Sequence, residues 1–414
     1  MNYIIADKYF LTATFRADGS SKFGENNKYG YFPAFAVKWR LLKEEFASGL
    51  TKVFNELSIR ANYGKLGSQD GLPPYKSLGV RQIYRGNSGV DTTVINEANP
   101  DLKWEEATTK GLGLDFAILH NRLNGTVDYY YTRRKNLLFL KASAGGFGAA
   151  TNIWVNLPGV VINKGLEVSL NFQAIPKKRK FGWDINYNMT FLHNEMTEFN
   201  EIVNTGGVNG QGLSGAYAQT IQNGYSLFTW KMPVFIGFDG NGDQRLANGA
   251  QDQLLGSALP KFTAGLTNNF SLGNWSASIF LNASTGFFIY NNTANALLLK
   301  GSIKTAHNVT YAVANSNEDP INPGSVSTRF LEKGDFLRLS NASVNYTFDL
   351  KNKKVIKTLS AFVSGQNLAL WTDYTGLDPE INVDHGLGGV PSRGFDYVGY
   401  PKARTFSIGI NMGF

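Results

Sequence analysis

Residues 238–245 (FDGNGDQR) form the stretch whose residue types and spacing best suit a chemical site. Asp239, Asn241 and Asp243 place oxygen-bearing side chains at every second position of a glycine-rich loop, and oxygen atoms are the ligands that Ca²⁺ prefers. The sixth and twelfth positions do not carry the Gly and Glu that a calcium loop needs, which leaves Asp252 as the nearest carboxylate. The segment therefore favours a polar turn over a calcium site formed by Asp239, Asn241, Asp243 and Asp252.

Six aromatic side chains in or beside predicted loops are candidates for ligand binding. A flat apolar ring with a polar edge suits an amphipathic ligand such as a sugar. The alternatives are an aromatic girdle at a membrane interface and packing of one loop against another. We expect two or three of them to contact a ligand or a partner protein; the six are Trp154, Tyr217, Trp230, Tyr290, Trp371 and Tyr374.

No residue pattern in the sequence suits catalysis. The chain contains no Cys, which excludes disulfides and thiolate chemistry. Its four His are far apart in sequence and adjoin neither a nucleophile nor a metal-ligand spacing. Adjacent carboxylates at 44–45 and 105–106 lie beside predicted strand ends, where solvated charge is expected. We therefore expect no enzyme activity, and no cofactor other than the calcium considered above.

The elements that carry these residues are predicted to be β-strands. Large apolar residues fall at every second position from Phe406 to Phe414, and Ser, Gly and Asn fill the positions between them. Residues 181–191 follow the same pattern, with aromatic side chains near both ends. Strict alternation gives a strand one apolar and one polar face. Such a strand, taken alone, fits either a soluble β-sandwich or an outer-membrane barrel.

The order of strands and loops along the whole chain favours the barrel. Long and short connections alternate, as in an antiparallel meander whose long loops lie at one end, so we predict an all-β transmembrane antiparallel β-barrel. A glycine-rich loop is expected at 145–159, the longest irregular segment at 194–259, and a bulge near Ser340. About twelve strands are predicted, at 11–15, 29–40, 57–63, 112–118, 123–132, 166–173, 181–191, 262–270, 275–281, 336–348, 359–363 and 404–414.

Composition excludes two other classes of protein. No run of about 18 apolar residues occurs, which argues against a helical membrane protein. The formal net charge is +8, but the basic residues are scattered and their densest group, at 177–180, falls in a predicted turn. Nucleic-acid binding is therefore not expected.

Several motifs resemble the barrel of the SusC/RagA-type TonB-linked outer-membrane receptors, and they follow one another in the family's order through nearly the whole chain. Each one alone would be weak. The motifs are RADGSSKFG at 16–24, YFPA at 31–34, LSIRANYGKLG at 57–67, NPDLKWE at 99–105, NKGLE at 163–167, EKGDFLRL at 332–339, QNLALWTDYTGLDPE at 366–380 and YPKARTFSIGINMGF at 400–414.

This resemblance implies a place in the cell outer membrane and the uptake of oligosaccharides or peptides. It also implies a SusD-like surface lipoprotein over the barrel mouth and energy supplied by TonB. Family barrels have about 22 strands and enclose a plug, so residues 1–414 are expected to be the carboxy-terminal portion of such a receptor, without its plug domain or signal peptide. The alternative is a self-contained barrel that acts as a passive pore or a surface adhesin.

Overall fold

The structure is a computed structural model that describes residues 1–86, 89–142, 152–176, 180–210, 212–350, 355–387 and 390–414. Strands dominate the described residues. The first ten strands are β1 (Asn2–Ile5), β2 (Tyr9–Gly19), β3 (Tyr29–Arg40), β4 (Phe54–Ser68), β5 (Val80–Gly86), β6 (Gly89–Asn96), β7 (Glu105–Ile118), β8 (Leu123–Ala142), β9 (Asn152–Ile175) and β10 (Phe181–Thr197).

The second half of the chain combines shorter strands with the last strands of the main sheet. These strands are β11 (Val203–Gly207), β12 (Tyr217–Ile221), β13 (Thr229–Met232), β14 (Phe235–Phe238), β15 (Gln244–Leu246), β16 (Gln253–Ser257), β17 (Phe262–Leu272), β18 (Trp275–Thr285), β19 (Phe288–Asn291), β20 (Leu331–Lys333), β21 (Phe336–Thr347), β22 (Thr358–Thr372), β23 (Phe395–Asp396) and β24 (Thr405–Gly413).

Helices are short and lie in the connections between strands. Among the residues that the structure describes, the two α-helices are α1 (Asn292–Leu297) and α2 (Tyr311–Ala314). Within the described residues, none of the helices has the length and apolar character that crossing a membrane requires. The 3₁₀ turns are Glu25–Asn27, Leu41–Lys43, Glu45–Lys52, Ala247–Ala250, Lys300–Thr305 and Thr328–Phe330.

Thirteen of the described strands form one sheet in the order β1-β2-β3-β4-β7-β8-β9-β10-β17-β18-β21-β22-β24. Each strand pairs antiparallel with its neighbours, and the order follows the chain apart from strands that belong to loops. The sheet has two free edges, β1 and β24, in the described part of the chain. These strands therefore do not close on themselves, which argues against the self-contained barrel.

The two faces of this sheet differ in chemistry. Ile408 and Ile410 of β24 are 83% and 63% exposed on one face, which we call the outer face. Aromatic and aliphatic side chains of every neighbouring strand share it, including Trp183 and Tyr187 of β10. Arg60 of β4 and the other alternate residues form the inner face, which is polar. The apolar-out, polar-in alternation matches that of a transmembrane barrel.

Connections at the two ends of the sheet differ in length and in structure. At one end the turns are tight, with only residues 119–122 between β7 and β8 and 273–274 between β17 and β18. At the other end lie the segments between β4 and β7, β10 and β17, β18 and β21, and β22 and β24, which build a loop layer. Strands β11, β12, β13 and β16 form a four-stranded sheet in that layer. The predicted separation of long from short loops is confirmed, with residues 41–53 as the longest turn at the short-loop end.

Family-like motifs pack against one another where the loop layer meets the sheet. Phe23, Phe32, Leu102 and Trp104 come from the RADGSSKFG, YFPA and NPDLKWE motifs and form one buried cluster. Gly24 donates its backbone N–H to the carbonyl of Leu102 at 2.9 Å. A Cβ at Gly24 would lie 1.6 Å from the carbonyl oxygen of Pro100, so only glycine fits. These motifs anchor two long loops to the sheet.

Some details of the sequence prediction needed correction. Residues 152–159 belong to β9 rather than to a glycine-rich loop, and 143–151 and 177–179 lie outside the described residues. The segment 194–259 is not irregular, because it contains the end of β10 and all four strands of the small sheet. The bulge near Ser340 is confirmed by a register shift between Leu339 and Asn341.

Candidate binding site at the mouth of the sheet

A cavity of about 430 Å³ lies between the inner face of the sheet and the loop layer. We call it the mouth pocket. Its floor comes from Asn188 in the middle of β10 and from β17, β18 and the start of β21, and its roof from segments 379–382 and 393–394. Amides and hydroxyls of Asn188, Asn282 and Ser284 line it together with the rings of Phe280 and Phe336. Such a surface suits a ligand with both polar and apolar faces.

Charged side chains hold the roof of the mouth pocket in place. Arg338 of β21 has a 4% exposed side chain, and its Nη2 lies 2.6 Å from Oδ1 of Asp378. Its Nε lies 2.8 Å from Oε2 of Glu380, a pocket residue that Nζ of Lys402 also contacts at 2.8 Å. Arg338 also donates to the side-chain oxygen of Asn367. Buried ion pairs of this kind fix geometry, because an unpaired partner would be costly.

These contacts explain why the EKGDFLRL and QNLALWTDYTGLDPE motifs occur together. Arg338 comes from the first motif, whereas Asn367, Asp378 and Glu380 come from the second. Asp335 of the first motif accepts the backbone N–H of Gly286 at 2.7 Å, which ties the β18 end to β21. The motifs alone do not identify Arg338, Asp378 and Glu380 as site residues. These three residues do not stand out in the sequence, because the two motifs contain four other charged residues.

Three of the predicted ligand-binding aromatics lie instead in two buried clusters of the loop layer, which together we call the loop core. Trp230 and Tyr290 are 0% exposed and Tyr374 is 5% exposed. Trp230 and Tyr290 pack with Phe330 and Phe395, and the Trp230 and Phe395 rings are 5.0 Å apart. For Trp230, Tyr290 and Tyr374 the ligand prediction is therefore corrected, because packing of loop against loop has removed the rings from the surface.

Several polar groups inside the loop core are paired, although Oδ1 of Asn295 and Oγ of Ser327 are buried without a hydrogen-bond partner among the described residues. The Tyr374 hydroxyl donates to Oδ2 of Asp396 at 2.6 Å, and the Tyr290 hydroxyl accepts from Nδ2 of Asn295 at 2.8 Å. Burial raises the pKa of both hydroxyls well above the usual range. Glu318 accepts from both terminal nitrogens of Arg329 at 2.7 and 2.8 Å.

The other three candidate aromatics are not together. Trp371 is 53% exposed near the long-loop end of β22, opposite Leu337 on the outer face, as a girdle residue would be. Trp154 is half-buried against the cluster of Phe23 and Trp104. Tyr217 is half-buried, with Nζ of Lys231 located 5.7 Å from its ring centroid. None of the six lines the mouth pocket.

The 238–245 loop is a hydrogen-bonded turn. Oδ1 of Asp239 accepts the backbone N–H groups of Asn241 and Asp243 at 2.8 and 2.9 Å. Asp252 lies 3.9 Å from Nζ of Lys231. No group of three His, Cys, Asp or Glu side chains in the described ranges is arranged to hold a metal. Calcium binding by Asp239, Asn241, Asp243 and Asp252 stays a prediction.

A ladder of opposite charges crosses the inner face away from the mouth pocket. Arg60 lies 2.7 Å from Asp115 and 2.8 Å from Asp128, and Lys38 lies 2.9 Å from Asp115. The ladder joins β3, β4, β7 and β8. Gly113 leaves room for it, since a Cβ there would lie 2.3 Å from Oδ1 of Asp128. The inner wall is therefore polar well below the mouth.

Residues 1–368 match the family described as TonB dependent receptor-like, beta-barrel. The chain belongs to the TonB-dependent receptor family. All of it aligns with TonB-dependent receptor P3 of Formosa agariphila at 32% identity and with TonB-dependent receptor SusC of Bacteroides thetaiotaomicron at 28%, covering 45% and 43% of those proteins. A chain of the RagAB peptide transporter structure shares the fold, with a TM-score of 0.84 at 20% identity, over all of this chain and 46% of that one.

Membership in the TonB-dependent receptor family confirms several of the predictions. The apolar outer face belongs in the outer membrane, and the family consists of transporters rather than enzymes. The resemblance to SusC and RagA is confirmed as well. The chain spans 43% to 46% of the length of these relatives. Its assignment as the carboxy-terminal portion of a receptor stays a prediction.

Proposed function

We propose that this chain forms the barrel wall and outer loops of a nutrient importer for oligosaccharides or peptides. The mouth pocket carries this proposal. It lies between a polar inner face and the loop layer, at the end of the sheet where an outer-membrane barrel has its extracellular loops. Its combination of amide, hydroxyl and ring surfaces suits oligomeric nutrients, which have repeating polar groups and apolar faces.

The same geometry supports import by the whole receptor rather than passive flow through this chain. The loop layer contains buried hydrophobic clusters and lies over the inner face. The free edges of the sheet, β1 and β24, leave no closed pore in the described residues of this chain. The proposed partners are a SusD-like surface lipoprotein on the loop layer and TonB, which would act through other parts of the receptor. Relatives named TonB-dependent receptors and the RagAB transporter support this proposal.

Binding to the whole receptor tests the proposal. Arg393 is exposed and lines the mouth pocket, so Arg393→Gln removes a charge without disturbing a buried contact. We expect binding of one substrate class, oligosaccharides or oligopeptides, to weaken about tenfold in calorimetric titrations, because a charge-assisted hydrogen bond contributes about 1.5–3 kcal/mol.

Arg81→Gln is the matched control, since Arg81 is exposed on the hairpin of β5 and β6 and does not line the pocket. Binding of neither substrate class by the unaltered receptor would overturn the proposed function. Equal effects of Arg393→Gln and Arg81→Gln would overturn the assignment of the mouth pocket. Co-purification of a surface lipoprotein with the receptor tests the partner, and its absence under mild extraction argues against it.

A further inference from the structure

The outer face changes abruptly from apolar to basic near its long-loop end. Leu112, Tyr129, Leu166 and Phe191 are paired across neighbouring strands and are all 36–57% exposed. The next row of side chains on this face lies two residues further along each strand, about 7 Å away. It consists of Tyr63, Lys110, Tyr131, Lys164 and His193. Aromatic and basic side chains alternate in this row.

More cations lie on the same face in the next two rows toward the long loops. Lys65 and Arg133 belong to the first of these rows, and Lys135 belongs to the second. Glu106 lies 2.8 Å from Lys65 and 3.2 Å from Lys135, and Glu198 lies 2.6 Å from Arg133. We call the five cations Lys65, Lys110, Arg133, Lys135 and Lys164 the rim patch.

Two members of the rim patch have no acidic partner. In the part of the chain that the structure describes, no carboxylate lies within ion-pair distance of Lys110 or Lys164. A cavity of about 270 Å³ opens beside Lys110 and is lined by Tyr63, Thr108, Lys110, Tyr131, Arg133, Lys135 and Val160. Three cations, Lys110, Arg133 and Lys135, thus line a concave site on the outer face.

The position of the cavity selects its occupant. Leu112 is 57% exposed directly below Lys110 on the face that meets hydrocarbon, and tyrosines such as Tyr63 and Tyr131 mark the level of lipid headgroups. A ligand that fills the cavity must therefore place anionic groups beside the cations and apolar chains against the row below. We propose that the rim patch binds the phosphate-bearing headgroup of an anionic lipid in the outer leaflet of the outer membrane.

Charge complementarity supports a lipid over a soluble ligand. Lys and Arg near a membrane surface favour anionic lipid. Lys and Arg also lay their apolar stems along hydrocarbon and keep the charge at the headgroups. Lys110 and Lys164 flank Tyr131 in the register of β7, β8 and β9, so one phosphate group can contact both ammonium groups beside an aromatic ring.

The test is lipid titration of the whole receptor by native mass spectrometry. The probes are a phosphorylated glycolipid and its dephosphorylated counterpart with the same acyl chains. We expect the unaltered receptor to bind the phosphorylated lipid, and Lys110→Gln/Lys164→Gln to bind it at least tenfold more weakly. Lys52→Gln/Lys103→Gln removes the same charge from exposed positions outside the patch and should leave binding unchanged.

Three results would overturn this assignment. They are equal binding of the two lipids, equal loss in both double variants, and complete competition by inorganic phosphate at concentrations equal to those of the lipid. The third result would identify a free anion as the ligand. Correct folding of each variant is checked by heat-modified electrophoretic mobility, and a receptor with Lys110→Arg/Lys164→Arg should retain lipid binding, since the charge remains.

Discussion

The outer face of the sheet and the loop core place aromatic and apolar side chains in opposite environments. Ile408 is 83% exposed on the outer face, whereas Trp230 is 0% exposed in the loop core. On the sheet, membrane hydrocarbon solvates the apolar side chains, so the pattern of alternation alone orients them. In the loop core the same residue types must be covered by protein, and polar groups buried with them need partners.

The two regions show that the exposed fraction of an apolar side chain depends on whether membrane or protein surrounds it, and not on the residue type. A charge is costly in either region, but for different reasons. On the outer face a charge has no partner in hydrocarbon. In the loop core a charge is tolerated when its partner is present, as Glu318 and Arg329 show with side chains 0% and 12% exposed. Substitutions in the two regions can therefore separate these costs.

The largest effect is expected from Glu318→Gln in the loop core. The change removes the charge that Arg329 pairs with, and breaking a buried ion pair costs about 3–5 kcal/mol. We expect faster cleavage of the 286–335 loop by a protease and loss of amide protection there, measured by hydrogen exchange on the whole receptor.

Glu201→Gln provides the control for this change. Glu201 pairs with Lys141 at 2.9 Å, and both side chains are more than one-third exposed. Exposed pairs contribute about 0–1 kcal/mol, so hydrogen exchange should hardly change. If Glu318→Gln behaved like Glu201→Gln, the loop core would not depend on buried pairing.

The outer face should respond almost as strongly to Leu114→Arg. Leu114 lies midway along β7, between Lys110 at the rim and the short turn after Ile118. Arginine near the bilayer midplane costs about 2–4 kcal/mol in a barrel. Urea-dependent folding of the receptor into lipid vesicles measures this cost. Thr126→Arg, on the inner face of β8, should cost much less, and equal costs would contradict the assignment of the two faces.

The difference between these regions also explains what the sequence could predict. All twelve predicted strands are present in the main sheet, because alternation such as that from Phe406 to Phe414 records the two faces directly. The short edge strand β1 was missed, since four residues hold too little of the pattern. No periodic pattern in the sequence indicates that Trp230, Tyr290 and Tyr374 are buried, because residues distant in sequence create the loop core.

The candidate site was less predictable than the fold. Arg338 contacts Asp378 across 40 residues of sequence, and no local spacing indicates that contact. The rim patch likewise requires the register of β4, β7, β8 and β9, because Lys65, Lys110 and Lys164 are scattered along the chain. Sequence motifs identified the segments involved, and only the fold showed which side chains meet.

A smaller effect in the loop core is expected from Tyr374→Phe. The ring remains, but Oδ2 of buried Asp396 loses the hydroxyl that donates to it at 2.6 Å. Hydrogen bonds to charged groups contribute about 1.5–3 kcal/mol, so local amide protection around 374–396 should fall by that amount. An unchanged exchange rate would contradict a structural role for this hydrogen bond. Trp371→Phe, on the outer face of the neighbouring strand β22, serves as the comparison and should leave that protection unchanged.

The smallest effect concerns Glu44, in the turn at the short-loop end. Hydrogen bonds from the Tyr9 hydroxyl at 2.6 Å, Lys8 at 2.9 Å and Trp39 at 3.1 Å lower the pKa of Glu44 from 4.5 to about 2. A lowered pKa in the folded state stabilises the turn above pH 4.5, and this stabilisation is lost as the pH falls toward 2. We expect Glu44→Gln to lower the thermal unfolding temperature of the receptor at pH 7. The difference in unfolding temperature between the variant and the unaltered receptor should shrink as the pH falls. A difference that stayed constant down to pH 2 would show that the carboxylate charge does not stabilise this turn.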